Sequence, residues 1–154
     1  MATGEDVDAL VDLWVALVES QRPHGAHLRG EANRSRVREF LANFAARDAV
    51  HVARDPHVVG FVMFRVESGA YEQDTERGIV DNVFVVPARR DEGVGSRLLD
   101  AAEAALADRG ADLVAVSVLA DNEAARRLYE RRGYRLHRHT LERPLESDMP
   151  SSDE

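Results

Sequence analysis

The chain has 154 residues and contains neither cysteine nor lysine. Without thiols it has no disulfide, no thiolate metal site and no cysteine nucleophile. All 20 basic residues are arginine, set against 28 aspartates and glutamates, for a net charge of -8. An acidic, lysine-free surface suits a salt-rich cytoplasm, and a high-GC genome replaces lysine with arginine to the same effect. Either way the overall field repels nucleic acid and anionic membranes, so an anionic cofactor needs a local site that overcomes the repulsion. Runs of about 18 to 20 apolar residues, as a membrane helix requires, are also missing. The first residues, "MATGEDVDAL", carry acids where a signal peptide carries positive charge. The expectation is a soluble cytoplasmic protein.

What is present is patterned as one domain over 1–145, followed by a polar, acidic stretch over 146–154, "ESDMPSSDE", that reads as a frayed tail. Thr3 and Asp6 have the spacing of a capping box, and Val7, Leu10, Val11, Trp14, Leu17 and Val18 then form a helical stripe. Val37, Phe40, Leu41 and Phe44 predict a second helix over 33–47, after a loop rich in turn residues. The period then changes. "AVHVARD", "HVVGFVMFRVES" and "GIVDNVFVVP" read as strands, the third apolar enough to be covered on both faces. A helix over 93–109, a strand "DLVAVSVLA", a helix "NEAARRLYERRG" and a closing strand "YRLHRHTLERPL" complete the order ααβββαβαβ. The fold class is α/β with a mixed central sheet flanked by helices.

The stretch that points to chemistry is "VPARRDEGVGSRLLDAAEAAL". A strand, then Gly93-Val94-Gly95, then a helix is the order that aims backbone N–H groups and a positive helix end at an anion. A bare Gly-x-Gly is equally an ordinary turn. Two arginines directly before it, in an otherwise acidic chain, favour the anion. The turn has neither the Gly-Lys-Ser/Thr of a Walker loop nor the three glycines of a dinucleotide fingerprint.

"RRDEGVGSRLL" resembles the coenzyme A signature of the GNAT superfamily of N-acetyltransferases, Arg/Gln-x-x-Gly-x-Gly/Ala. "VSVLADNEAARRLYERRGY" is similar to that family's second signature, and "IVDNVFVVP" to the strand preceding the first; together they cover about residues 79–134. The resemblance implies acetyl-CoA as acetyl donor, no metal, and direct transfer to a primary amine of a small molecule or a peptide N-terminus. Carried over residue by residue, it implies that the backbone of Val83, Phe84 and Val85 pairs with the pantetheine arm. Arg90, Asp91, Glu92, Gly93, Val94, Gly95 and Ser96 would wrap the pyrophosphate. Asn122 would bond the pantetheine or the backbone around it, or serve as a plain helix N-cap, roles that do not exclude each other. Tyr129 would be the general acid that protonates the departing thiolate, against the alternative of a half-buried core tyrosine.

Asp81 is the candidate base. A charge on an apolar strand is costly without a purpose, although a pair with Arg77 would also account for it. Some relatives that acetylate peptide N-termini carry a glutamate on the following strand where this chain has Ser117, which weakens that acceptor class. His24, His27 and Arg29 fall in the loop that borders the acceptor site in the family, while His137 and His139 alternate along the closing strand; none has recognised metal-ligand spacing. Tyr71 reads as an exposed hairpin residue and Tyr134 as core packing.

Family members usually begin with a short strand that here is reduced almost to nothing. Either the sheet lacks an edge strand, and a homodimer could cover the edge, or the chain starts upstream. The competing functional reading is a non-catalytic acyl-CoA-binding regulatory module. A nucleotide-phosphate site of another family is a third, weakened by the missing Walker lysine.

Overall fold

A computed structural model describes residues 1–68 and 71–145. The tail expected at 146–154 and two residues of the hairpin that holds Tyr71 lie outside the described residues. The elements are α1 (Val7–Gln21), α2 (Arg34–Ala46), β1 (Val50–Arg54), β2 (Val58–Val66), β3 (Arg77–Val85), α3 (Val94–Asp108), β4 (Leu113–Val116) and α4 (Glu123–Arg131). The four strands form one sheet in the order β1-β2-β3-β4. β1, β2 and β3 pair antiparallel, while β3 and β4, joined through α3, pair parallel.

Helices cover both faces of the sheet because the strands alternate their side chains. Phe61, Met63 and Phe84 point into a core with α1 and α2, sealed by Leu10, Val11, Trp14, Leu41 and Phe44. Val62, Phe64 and Val80 point the other way, onto Val94, Leu98, Leu99, Ala102 and Leu106 of α3, with Tyr129 of α4. Each fully buried Leu, Val or Phe contributes about 1.5–3 kcal/mol relative to exposure, so the two layers hold the sheet between them. α3 lies close on β3: a Cβ at Gly78 would come within 2.7 Å of Leu106.

The start of α1 follows the capping expectation. Asp6 accepts from the Thr3 N–H at 2.8 Å and from Arg54 at 2.6 Å, which ties the first turn to the end of β1. Where a first strand would run, the Ala2 N–H donates to the Val50 carbonyl at 2.9 Å and Ala2 itself is buried. The expected strand is therefore a single bridging bond.

Three expectations need correction. Phe40 is 60% exposed, because Val37, Leu41 and Phe44 fill the buried stripe and position 40 falls one step outside it. The third strand is covered only in part, with Val83 and Val85 half-buried, because β4 stops at Val116 and leaves their flank open. The closing strand does not form: residues 135–145 are exposed and outside any strand. Each face of "YRLHRHTLERPL" carries only two large apolar residues among charged and polar ones, too little apolar area to fix a strand. Among the described helices, none is long and apolar enough to cross a membrane.

Candidate functional site

The site begins where β3 and β4 part. Their parallel ladder runs from Arg77↔Leu113 to Val80↔Val116 and stops, while β3 continues to Val85. The parting coincides with a β-bulge. Met63 pairs with Asn82 and Phe64 with Val80, so Asp81 is an extra residue with no partner on β2. A bulge bends its strand and re-aims a side chain.

The same register decides which backbone groups face the opening. The Val86 N–H donates to the Val59 carbonyl. Hydrogen-bonded pairs alternate in an antiparallel ladder, so Phe84, opposite Phe61, also turns its groups to β2. Val83 and Val85 turn theirs toward the opening. Of the three residues expected to line it by backbone, Phe84 is thus committed to the sheet and supplies a core side chain instead. The Val85 carbonyl accepts from Arg90 Nε at 2.9 Å, with the Arg90 guanidinium 5.4 Å from the Phe84 ring centre.

Beyond Val85 the chain passes through a short turn, Pro87–Arg89, to the glycine turn. Gly93 has φ +82°, and Asp91 also lies in the left-handed region at φ +65°. The Arg97 N–H donates to the Gly93 carbonyl, closing the first helical bond. The N–H groups of Val94, Gly95 and Ser96 precede any helical acceptor and form an open donor set at the positive end of α3. A Cβ at Gly95 would meet nothing nearer than Val85 Cγ2 at 3.8 Å. The protein itself therefore gives no packing reason for glycine at 95. Arg89 is spoken for, bonded to Asp55 at 2.9 Å and Glu92 at 3.0 Å.

α4 brings the remaining groups. Asn122 caps it, its side chain accepting from the Ala125 N–H at 3.3 Å. Tyr129, 8% exposed, is the one buried residue of α4 and shares an apolar cluster with Val83, Val85 and Val94. The ring of the candidate acid thus belongs to the apolar layer that also holds side chains of β3 and of the first turn of α3. Burial alone pushes its pKa above the ordinary tyrosine value, so it stays protonated. Tyr134 packs edge-on against it, with ring centres 5.6 Å apart, and donates to Glu103 at 2.6 Å.

Asp81 is half-buried, and desolvation raises its pKa above the usual carboxylate value while Arg65 opposes the rise by charge and hydrogen bond. The partner is Arg65, not Arg77, which instead pairs with Glu67 at 2.9 Å. Arg65 interrupts the apolar run of β2 as Asp81 interrupts that of β3, a signal present in the sequence and not used. Ser117 follows the last residue of β4 and is exposed. His24 bonds Asp121 at 3.0 Å, and His27 bonds Glu142 at 3.0 Å, so the loop after α1 reaches both the start of α4 and the C-terminal segment. Arg29 contributes its carbonyl to Asn33. His137, His139 and Tyr71 lie on the surface, Tyr71 87% exposed. A separate groove of about 350 Å³ between β1 and α3, lined in part by His51, Arg54, Arg89 and Arg97, is not the opening between β3 and β4.

This geometry coincides with the family comparison. The model of the Acetyltransferase (GNAT) family matches residues 12–134. The chain belongs to the GNAT family. Mycothiol acetyltransferase of Clavibacter sepedonicus is 35% identical over 137 residues, covering 86% of this chain and 41% of that protein. The uncharacterized N-acetyltransferase YhfO of Bacillus subtilis is 41% identical over 56 residues, 36% of this chain and 38% of that protein. The chain thus spans about two-fifths of the length of these curated relatives.

Solved structures share the GNAT fold at low identity. A mutant of the BH1408 protein of Bacillus halodurans aligns with TM-score 0.75 at 18% identity, over 94% of this chain and 96% of that one. Aminoglycoside N-acetyltransferase AAC(6')-Iy, in complex with CoA, aligns with TM-score 0.71 at 15% identity, over 94% and 91%. In this GNAT chain the matched segment includes the β3–β4 opening, the glycine turn and Tyr129.

Proposed function

We propose that the chain is an acetyl-CoA-dependent N-acetyltransferase that moves an acetyl group directly to a primary amine, in the cytoplasm. The observation that carries this reading is the open wedge between β3 and β4, which leads to a donor-rich turn where Gly95 has no internal reason to be glycine. Family membership, and the CoA complex of a neighbour with the same fold, support it. The names of the Clavibacter relatives favour a small-molecule acceptor over a peptide N-terminus.

Acetyl-CoA supplies the thioester: the amine nitrogen bonds to its carbonyl carbon, the C–S bond breaks, one proton leaves the nitrogen and one reaches the sulfur. The backbone groups of Val83 and Val85 that face the opening hold the pantetheine arm. The N–H groups of Val94, Gly95 and Ser96 hold the pyrophosphate, with Arg90 beside them and Asp91 and Glu92 completing the turn. Asp81 accepts the amine proton at its carboxylate, directly or through water, and its raised pKa makes it the better base. Tyr129 donates from a phenol that burial keeps protonated. Asn122 fixes the start of α4 and so the distance of Tyr129 from the turn.

Calorimetric titration with acetyl-CoA at low and at multimolar salt, with ATP as control, tests the reading. Saturable binding of acetyl-CoA and not ATP supports it, and a screen of amines by free-CoA release then separates an enzyme from a regulatory binder. The enzyme loses turnover in Tyr129→Phe while its binding survives. Absence of binding in both salts by folded protein defeats the proposal.

A further inference from the structure

α4 carries Tyr129 yet is weakly attached to the rest of the fold. Its other residues are exposed or half-buried, and it makes few contacts with the strands and helices. What fixes its C-terminal end is Arg132. This guanidinium, with its side chain 16% exposed, donates from one terminal nitrogen to the Ser96 carbonyl at 3.3 Å. From the other it donates to Asp100 at 2.7 Å and Glu103 at 2.9 Å. Glu103 uses its second oxygen to accept from the Tyr134 hydroxyl, and the Tyr134 ring stands edge-on to Tyr129. The Arg132 backbone N–H closes the end of α4 on the Leu128 and Tyr129 carbonyls, and the Tyr134 N–H also bonds the Tyr129 carbonyl.

One residue therefore touches the glycine turn at Ser96 and, through Glu103 and Tyr134, the ring that packs on Tyr129. Among the described residues, Arg132 Nε is also a buried side-chain donor without a partner. Three carbonyl and carboxylate contacts on α3 fix the guanidinium in one place. We propose that Arg132 is a positioning residue that joins the anion-binding turn of α3 to Tyr129 of α4, through Ser96, Glu103 and Tyr134. The proposal rests on the acetyl-CoA reading. It implies that occupation of the turn is felt at Tyr129.

The chain has only three tyrosines, at 71, 129 and 134, so fluorotyrosine labelling gives three assignable NMR signals. The full chain is titrated with CoA as probe, following affinity by calorimetry and the Tyr129 signal by fluorine NMR. In the wild type, CoA saturates and moves the Tyr129 signal. Arg132→Gln should weaken CoA about tenfold, and at saturation its Tyr129 signal should not reach the wild-type bound position, since small misplacements have large effects at reacting groups. Glu103→Ala leaves the Ser96 contact in place and should displace the bound Tyr129 signal with a smaller loss of affinity. Should Arg132→Gln fail to fold, as judged by circular dichroism, Glu103→Ala decides alone. The proposal is overturned if the folded variants keep both the wild-type affinity and the wild-type bound Tyr129 signal. It is also overturned if the wild type binds CoA without moving Tyr129. Wild-type protein that binds no CoA defeats the acetyl-CoA reading itself, a separate outcome.

Discussion

Arg65 Nε lies within hydrogen-bond distance of both carboxylate oxygens of Asp81, at 3.1 and 3.2 Å. The pair sits where the bulge separates Asp81 from the β2 ladder, so a cation on one strand restrains a desolvated carboxylate on the next. A general base works when deprotonated, and a raised pKa moves the acidic limb of the rate to higher pH. The acidic limb of kcat/KM should therefore lie above the ordinary aspartate value of 3.8. Arg65→Gln removes the opposing charge and should move it higher still. Asp81→Asn should lower kcat by about 10²–10⁴-fold while leaving CoA affinity unchanged. A limb that stays put in Arg65→Gln would remove Asp81 from the base role.

Gly95 and Gly93 should fail in different ways. Gly95→Ala meets only Val85 Cγ2 at ordinary contact distance, so its thermal midpoint should match wild type while CoA affinity falls. Gly93→Ala places a side chain at φ +82° and should cost about 1–2 kcal/mol of stability before any ligand is added. Paired denaturant melts and CoA titrations separate the two.

Asp6 should make stability acid-sensitive. The hydrogen bond from Arg54 is the main cause that holds its pKa below the usual value, partly offset by burial. For a depressed carboxylate, the stabilisation is present above the unfolded value near 3.8 and is lost as pH falls through the lower folded value. Asp6→Asn should cost about 1–2 kcal/mol at pH 7, at the lower end because Arg54 is half-exposed. Its deficit against wild type should close in urea melts carried below pH 3.

Neighbouring positions of α2 should respond unequally to truncation. Leu41 is fully buried and Leu41→Ala should cost about 2–5 kcal/mol. Phe40→Ser, at an exposed position, should fall within about 0.5 kcal/mol of wild type. Equal losses would mean that Phe40 is covered in solution.

Much of this was legible in the chain. The periods of α2 and α3 located those helices to within one residue at each end, and the stripe of α1 gave its start, because each helix buries a continuous stripe on a sheet. The order of elements held through α4. The glycine turn and Asn122 were legible because glycine and helix-capping residues carry local backbone information. The partner of Asp81 was not, since a bulge is a property of two strands and their register. Nor was the commitment of Phe84 to β2, which depends on which pairs of the ladder are hydrogen-bonded. The closing strand was over-read because alternation alone does not supply apolar area. The burial of Arg132 in "ERRG" was not legible either, since it depends on where α3 lies.

The two faces of the sheet are sealed to different degrees. The face under α1 and α2 is closed by residues that are nearly all inaccessible, whereas the α3 face has a wide margin of half-covered residues, including Val83, Val85, Val114 and Val116. Amide exchange should therefore be graded across the molecule, slowest in α1, β1 and β2 and fastest in β4 and α4. The polypeptide would behave as a rigid half bearing a softer half. A molecule filling the softer half would slow its exchange most, and the melting temperature would climb with the concentration of that molecule.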